Sequence, residues 1–371
     1  MTPVDLLDLA VNASMLVADA VVVGAAWRWR ARPALVCAVG AAASLAAAAA
    51  GGFAWAPQPF APMRAVSWVL FVHGPVDLLL AAALSARVAP RQAVGLALAA
   101  LTTVGVAVRA FVIEPAAFDT TFHELDAPGL AEPLRIAVLA DIQVDRLTDR
   151  ERIVLEAAME QEPDLILLAG DYLQIPDAQE AEYLLEAERW KELIDATLDA
   201  PLGVYAVRGN AEVRASWASD LFGGTVVTPF RETASVDLGP VVVTGLSFWD
   251  SFEVGYSVDD TDKPHVVFGH GPDFSLSERA RGDLLVAGHT HGGQVQLPFL
   301  GPLVTFSQIP NAQAAGGLFP LSGGRHLLVS RGIGMERGYA PRLRLFCRPE
   351  LTIIDLVPPG WVWPDEGSEG G

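Results

Sequence analysis

The chain has 371 residues, with 25 Lys and Arg against 44 Asp and Glu, a formal net charge of −19 and 51% hydrophobic residues. That acidity excludes a protein that grips a nucleic-acid backbone, because such binding depends on basic side chains facing phosphates. Only two cysteines are present, Cys37 in an apolar stretch and Cys347 in the later polar part, so no intrachain disulfide is expected.

Up to about Phe111 the chain is rich in Ala, Val and Leu and has no lysine. Four stretches, Leu6 to Ala26, Ala34 to Trp55, Val66 to Ala86 and Ala93 to Phe111, come close to the ~20 residues that cross a bilayer. Runs such as Ala41 to Ala50 have no polar face for water, which speaks against a soluble helical core. A cleaved signal peptide fits poorly, since the first stretch lacks a basic leader and three more follow. Arg28, Arg30 and Arg32 follow the first stretch and Arg87 and Arg91 the third, against Arg64 alone between the second and third. By the positive-inside tendency these arginine-bearing loops are cytoplasmic, and the amino terminus and everything after the fourth span lie outside; Arg109 runs against this. Asp19, His73 and Asp77 fall within the spans and read either as a buried hydrogen-bonded pair or as part of a polar path, beside a kink expected at Gly74-Pro75.

Residues 114–133 read as a polar, proline-bearing linker, and from Leu134 the pattern changes. Leu134 to Ala140 ends in Asp141 and Gln143, Leu165 to Ala169 in Gly170-Asp171, Val204 to Val207 in Gly209-Asn210, and His265 to Phe268 in Gly269-His270. A fifth run, Leu284 to Ala287, ends in Gly288-His289-Thr290-His291-Gly292-Gly293-Gln294. Helix-like segments, Thr148 to Gln161 and Ala178 to Leu198, separate the first runs and give strand-helix-strand spacing. In open α/β sheets ligands bind beyond the carboxyl ends of the strands, so residues spread widely along the chain can converge. Two histidines one residue apart project to the same face of an extended chain, and glycines let the backbone turn beside them. Alone, that pair reads equally well as two surface histidines; the order of five runs is what carries the signal. The expected organisation is a four-span membrane region over 1–113, a linker over 114–133, an α/β domain over 134–358 and a flexible tail over 359–371, rich in Gly, Pro, Asp and Glu.

These run ends, with His270-Gly271-Pro272-Asp273, the Gly288 to Gln294 segment, Ser330-Arg331-Gly332-Ile333-Gly334 and Phe346-Cys347-Arg348-Pro349-Glu350, resemble the calcineurin-like metallophosphoesterases. The likeness runs from about Leu134 to Leu356 and is strongest to the bacterial membrane-associated or exported branch. It implies an α/β fold, a four-layer αββα sandwich with two mixed sheets, here preceded by an all-α four-helix transmembrane bundle. It further implies that Asp141, Asp171 and His291 hold one metal and Asn210, His270 and His289 the other, with Asp171 bridging. The catalytic set is then Asp171, Asn210 and His289. Two divalent cations held roughly 3.5–4 Å apart clamp a phosphoryl group and supply hydroxide near neutral pH. Mixed nitrogen and oxygen donors suit Mn, Fe or Zn without choosing among them.

Two positions depart from the family pattern. The first strand of the family presents Asp-x-His, whereas this chain has Asp141-Ile142-Gln143; an amide oxygen is a weaker donor than imidazole, so Gln143 either ligates loosely or orders water. The third element carries a histidine after the asparagine, and here it is Gly209-Asn210-Ala211-Glu212. Losing such a general acid costs ~100- to 10,000-fold for a poor leaving group. Among the neighbours, Glu212 reads as a water-facing first-turn glutamate, His265 as a packed or edge histidine, and Arg208 and Arg331 either as phosphate contacts or as surface ion pairs. Gln174 stands where purple acid phosphatases carry a tyrosine ligand, three residues beyond the bridging aspartate, so Tyr172 does not point to a tyrosinate centre.

The expected function is a membrane-anchored phosphoesterase, specifically a phosphodiesterase, in which metal-bound hydroxide attacks phosphorus in line. Beyond Pro115 the chain keeps 18 basic and 39 acidic residues, which favours a small phosphoester or lipid headgroup beside the bilayer over a polyanion, and nothing in the residues identifies a protein partner. The alternative is a catalytically weakened or silent module that binds or senses, motivated by Gln143 and Ala211; a third reading gives the helices a transport or sensing role under control of the domain.

Overall fold

A computed structural model describes residues 2–363; the remainder of the expected tail, 364–371, lies outside the described residues. The chain divides into a helical unit, residues 2–113 with Glu336–Leu343, and an α/β unit, Glu114–Met335 with residues 344–363.

Four helices in the first part are long and apolar enough to cross a membrane: α1 Pro3–Arg28, α2 Pro33–Trp55, α3 Phe60–Ser85 and α4 Pro90–Ala116. Their starts follow local chemistry. Thr2 and Asp5 form a capping box on α1, and Pro3, Pro33 and Pro90 occupy first-turn positions where a missing N–H costs nothing. Within α3 the turn widens to a π-helix over Val69–His73 immediately before Gly74-Pro75. Proline has no N–H and its ring crowds the carbonyl four residues back, and the wider turn relieves both. His73 at that turn lies 2.7 Å from Asp19 Oδ2 and 3.0 Å from Asn12 Oδ1, the buried hydrogen-bonded pair of the two readings open in the sequence. Arg64 grips Asp8 through two nitrogens at 2.7 and 2.6 Å and donates to the Ala340 carbonyl at 3.0 Å. That contact belongs to the segment Glu336–Leu343, which joins the helical unit although sequence places it inside the domain over 134–358. Leu16, Val17, Val39, Leu98 and Leu101 remain exposed on the helices, an apolar exterior of the kind a bilayer covers.

In the α/β unit the strands are β1 Asp119–Asp126, β2 Leu134–Leu139, β3 Leu165–Leu168, β4 Val204–Val207, β5 Val227–Phe230, β6 Ala234–Asp237 and β7 Val242–Gly245. They continue with β8 His265–Phe268, β9 Leu284–Ala287, β10 Gln296–Leu297, β11 Gly301–Pro302, β12 Gly317–Pro320, β13 His326–Val329 and β14 Glu350–Val357. One mixed sheet has the order β1-β14-β2-β3-β4-β5, the other β12-β13-β9-β8-β7-β6, and β10 and β11 form a separate hairpin. Strands β2, β3 and β4 run parallel, as do β7, β8 and β9. The apolar runs are unbroken because both faces are buried. Ile136, Val138, Leu165 and Leu167 meet Val243, Val266, Phe268 and Val286 between the sheets. Ala137, Leu139, Ile166 and Leu168 face the other way, onto α5 Asp149–Met159, α6 Glu180–Thr197 and α7 Trp217–Phe222 through Leu155, Trp190 and Leu221. Thr148 caps α5 with Glu151 three residues on, the capping box that ends the first strand-to-helix connection. The outer layer on the second sheet is thin, made of short pieces such as α8 Phe248–Ser251 and the turn Asp273–Leu276.

Two stretches differ from expectation. The segment taken as linker contains β1, which pairs in parallel with β14 from Asp119↔Glu350 to Asp126↔Val357. Within the tail, Trp363 donates to Glu124 at 2.8 Å, so its indole anchors residues that composition assigns to open solvent.

Candidate metal centre

Asp141 and Gln143 follow β2, Asp171 follows β3, Asn210 follows β4, His270 follows β8, and His289 and His291 follow β9. Parallel neighbours bring these ends together. Asp141, Gln143, Asp171, His289 and His291 all adopt left-handed backbone, with φ of 50°, 39°, 58°, 67° and 49°. Such conformations cost about 1–3 kcal/mol each outside glycine and persist only where surroundings enforce them. Here the Asp141 amide donates to the Gly170 carbonyl at 3.0 Å and the Gln143 amide to the Asp171 carbonyl at 2.8 Å, locking one turn against the next. The glycines before the ligands admit them: a Cβ on Gly209 would collide with the Asp171 carboxylate, and one on Gly288 would lie 2.7 Å from Asp141 Oδ2.

The side chains fall into two groups that share Asp171. Ligand atoms of Asp141, Asp171 and His291, all buried, lie within 4.8 Å of one another. On the other side, Asn210 Oδ1 is 2.9 Å from His270 Nε2 and 3.0 Å from His289 Nδ1, while His270 Nε2 is 3.5 Å from Asp171 Oδ1. The second nitrogen of each imidazole fixes its tautomer. His270 Nδ1 donates to the Ala169 carbonyl at 2.9 Å, and His289 Nε2 to the Phe306 carbonyl at 3.3 Å. With those protons spent, both remaining nitrogens direct lone pairs at Asn210 Oδ1, itself an acceptor. Three acceptors thus converge with no proton between them, the arrangement a cation satisfies.

Electrostatics agree with that use. Burial pushes His270 down to about 4; burial and the neighbouring His270 push His289 down to about 3, so both are neutral near pH 7, the form that binds a metal. The Asp141 carboxylate accepts the His289 amide at 3.0 Å, and Asp171 Oδ1 accepts the Ala211 amide at 2.7 Å, which orients both carboxylates. Nitrogen and oxygen donors in these numbers fit two divalent transition-metal ions. Gln143 is fully buried on the turn beside Asp141.

One placement revises the sequence reading, and others choose between the readings left open. Glu212 does not face water: it is 4% exposed, and its carboxylate accepts the amides of Asp171, Tyr172 and Gly209 at 3.0, 2.8 and 2.9 Å. Burial and the Asp171 charge push it up to about 8 against those donors. Arg331 is tied to Glu350 through its guanidinium at 3.1 Å and its amide at 3.0 Å, which makes it an ion-pair residue. Arg208 donates to the Glu212 carbonyl at 2.8 Å, with its guanidinium 5.3 Å from the Phe248 ring centre. His265 is packed, with Nε2 2.7 Å from Thr244 Oγ1, and Tyr172 lies in the core against Trp190 and Phe222.

Sequence reasoning missed Arg344. It is fully buried, donates to the carbonyls of Arg331 at 2.8 Å and Gly334 at 2.9 Å, and places Nη2 3.4 Å from His291 Nδ1. Its partners are mostly backbone carbonyls, which leave no trace in residue types. Also missed was the aromatic flank of His289, where the Phe252 ring stands 4.8 Å away, edge to face.

The Calcineurin-like phosphoesterase family model matches residues 134–293. Phosphodiesterase YaeI of Escherichia coli (strain K12) is 30% identical over 259 residues, covering 66% of this chain and 90% of YaeI. UDP-2,3-diacylglucosamine pyrophosphatase LpxG of Chlamydia muridarum is 31% identical over 140 residues, 34% of this chain and 41% of LpxG. A solved dimetal phosphatase from Danio rerio covers 54% of this chain and 88% of its own at 12% identity, with a TM-score of 0.35. The chain belongs to the calcineurin-like phosphoesterase family and is a metal-dependent phosphoester hydrolase.

Proposed function

We propose that this protein is a membrane-anchored dinuclear phosphodiesterase that acts on a small or lipid-linked phosphoester. The observation that carries the proposal is the meeting of Asn210 Oδ1 with the unprotonated nitrogens of His270 and His289, beside an Asp171 that also belongs to the Asp141 and His291 group. Asp141, Asp171 and His291 would hold one cation and Asn210, His270 and His289 the other, with Gln143 at the edge of the first. When bound, the pair would polarise phosphoryl oxygens and activate water near neutral pH; Mn, Fe and Zn all suit the donors.

The chain's own groups set the rest. Asp171 is aimed by the Ala211 amide, and Glu212 holds the loops after β3 and β4 in register. Arg208 is the cation nearest in sequence to Asn210 and would meet phosphoryl oxygens. Ala211 has no proton to give, so the leaving group departs with little help. Four apolar helices support anchoring in a bilayer, and the arginine distribution supports an extracytoplasmic phosphoesterase. The names of YaeI and LpxG support phosphoester cleavage and a lipid-linked substrate.

The test is Mn-dependent hydrolysis of an activated water-soluble diester by the purified full chain, with Asp171→Asn as control. Turnover that the substitution abolishes supports the proposal. Two bound metals without Asp171-dependent turnover across mono- and diesters would favour the silent binding module. Which side of the membrane the domain faces is read by adding protease to intact spheroplasts; digestion of the α/β unit supports the extracytoplasmic assignment, and its protection would overturn it.

A further inference from the structure

Directly after the His289 and His291 turn, the chain runs from Gly292 to Gly324 without a single Asp, Glu, Lys, Arg or His. Charged residues stand on both sides of the run, Glu278, Arg279, Arg281 and Asp283 before it and Arg325 and Arg331 after it. Its first portion is the β10-β11 hairpin, in which Gln296 pairs with Pro302 and Leu297 with Gly301. The hairpin presents apolar side chains outward: Phe299 is fully exposed, and Leu300 and Leu303 are 70% and 60% exposed. Phe299 and Phe306 have φ of 69° and 51°, a left-handed conformation that bulky residues rarely adopt, so the backbone is held where these rings point out of the fold.

The hairpin is joined to the reactive site. The Phe306 carbonyl accepts from His289 Nε2 at 3.3 Å, and Phe252 stacks edge to face on the other flank of the same imidazole, with Phe248 5.0 Å from Phe252. His289 therefore has the Phe252 ring on one flank and, on the other, the backbone of Phe306, a residue of the uncharged run whose own ring is half exposed. A soluble surface avoids a patch of this kind, whereas acyl chains accept it, and the same chain carries four helices of bilayer length.

We propose that the hairpin around Phe299, Leu300 and Leu303, with the Phe252 and Phe306 flank, binds the acyl chains of membrane lipid and so selects phosphoesters that carry a long alkyl or acyl group. The inference rests on the phosphodiesterase reading and narrows its substrate. The absence of charge over the run suits lipid; a protein partner chosen by charge would leave ionic residues to meet it. In the reaction a water oxygen bonds to phosphorus and loses a proton to solvent as the P–O bond to the leaving oxygen breaks; that oxygen keeps the electron pair and is protonated from solvent, while the alkyl group stays on the phosphate and in contact with the hairpin.

The experiment uses the full chain in nanodiscs of phosphatidylcholine and phosphatidylglycerol. An environment-sensitive dye is attached through Phe299→Cys, or through Asp259→Cys as an exposed control, the native Cys37 and Cys347 being buried. Lipids brominated in their acyl chains should quench the dye at 299 and not at 259. A dye at 299 that stays as water-exposed as the control would overturn the lipid contact and point to a protein partner. In parallel, rates on p-nitrophenyl hexadecyl phosphate and p-nitrophenyl methyl phosphate are compared. The hexadecyl ester should be favoured by more than ~10-fold, as burial of several methylenes allows, and Leu300→Ser/Leu303→Ser should erase most of that ratio. An unchanged ratio would overturn the selection. Loss of hydrolysis of both esters by the unsubstituted chain would instead count against the phosphodiesterase reading, while the quenching still decides the lipid contact.

Discussion

Glu212 accepts the Asp171 backbone amide at 3.0 Å from a loop 41 residues further on, so the turn that carries the shared carboxylate is fastened by the element that carries Asn210. The same carboxylate takes the amides of Tyr172 and Gly209. Glu212→Ala would leave three buried donors, each costing about 1–3 kcal/mol. We expect a large drop in melting temperature of the full chain, followed by intrinsic fluorescence, together with loss of diester turnover. Glu212→Gln keeps one acceptor oxygen and should fall between. Equal stability of Glu212→Ala and the parent would contradict the bracing role.

Ala211 leaves the site without a side-chain acid while its amide binds Asp171. The rate should therefore drop steeply as leaving-group pKa rises, and Ala211→His should recover on the order of 100-fold for alkyl esters with little gain for p-nitrophenyl esters. A plot of log rate against leaving-group pKa checks this; parallel lines for the two proteins would refute it.

Gln143 occupies the place of a family histidine and is buried beside Asp141. Gln143→His supplies an imidazole to the Asp141, Asp171 and His291 group. The Mn concentration for half-maximal turnover should fall by about 10-fold. No change would mean that position 143 does not reach the cation.

His265 lies away from the site, and burial holds its pKa below the ordinary histidine value while Nε2 meets Thr244. Because the unfolded chain binds this proton more readily, stability is fully present above about pH 6.5 and declines as pH falls from there toward the lower folded value. His265→Gln should flatten the slope of denaturation midpoint against pH below about 6.5. An identical slope would show that other groups govern acid unfolding.

Much of the centre is legible in the sequence because each candidate ligand follows a short strand buried on both faces. An apolar run such as Leu165 to Ala169 closing on Gly170-Asp171 means little by itself; its recurrence along the chain, each time with a metal-capable side chain at the end, marks the strand ends that line one crevice. The helices are equally legible: the segment from Thr148 becomes α5, and the apolar stretches from Ala34 and Ala93 fall within α2 and α4. What stays hidden depends on backbone. Arg344 binds mostly carbonyls, Glu212 binds amides, and neither partner type has a sequence signature. Strand β1 escapes notice because it is an edge strand with polar residues such as Thr120, Thr121 and Glu124, half exposed along its length. The segment Glu336–Leu343 reads with the domain because nothing local announces that Ala340 meets Arg64.

The most direct test of the dinuclear cage is electron paramagnetic resonance of the full chain, stripped of metal and reloaded with Mn. The account predicts two Mn per chain with an exchange-coupled signal, since a shared Asp171 holds the ions roughly 3.5–4 Å apart. Asp171→Asn should leave an uncoupled, single-ion spectrum. One Mn per chain, or two that remain uncoupled in the unsubstituted protein, would contradict it.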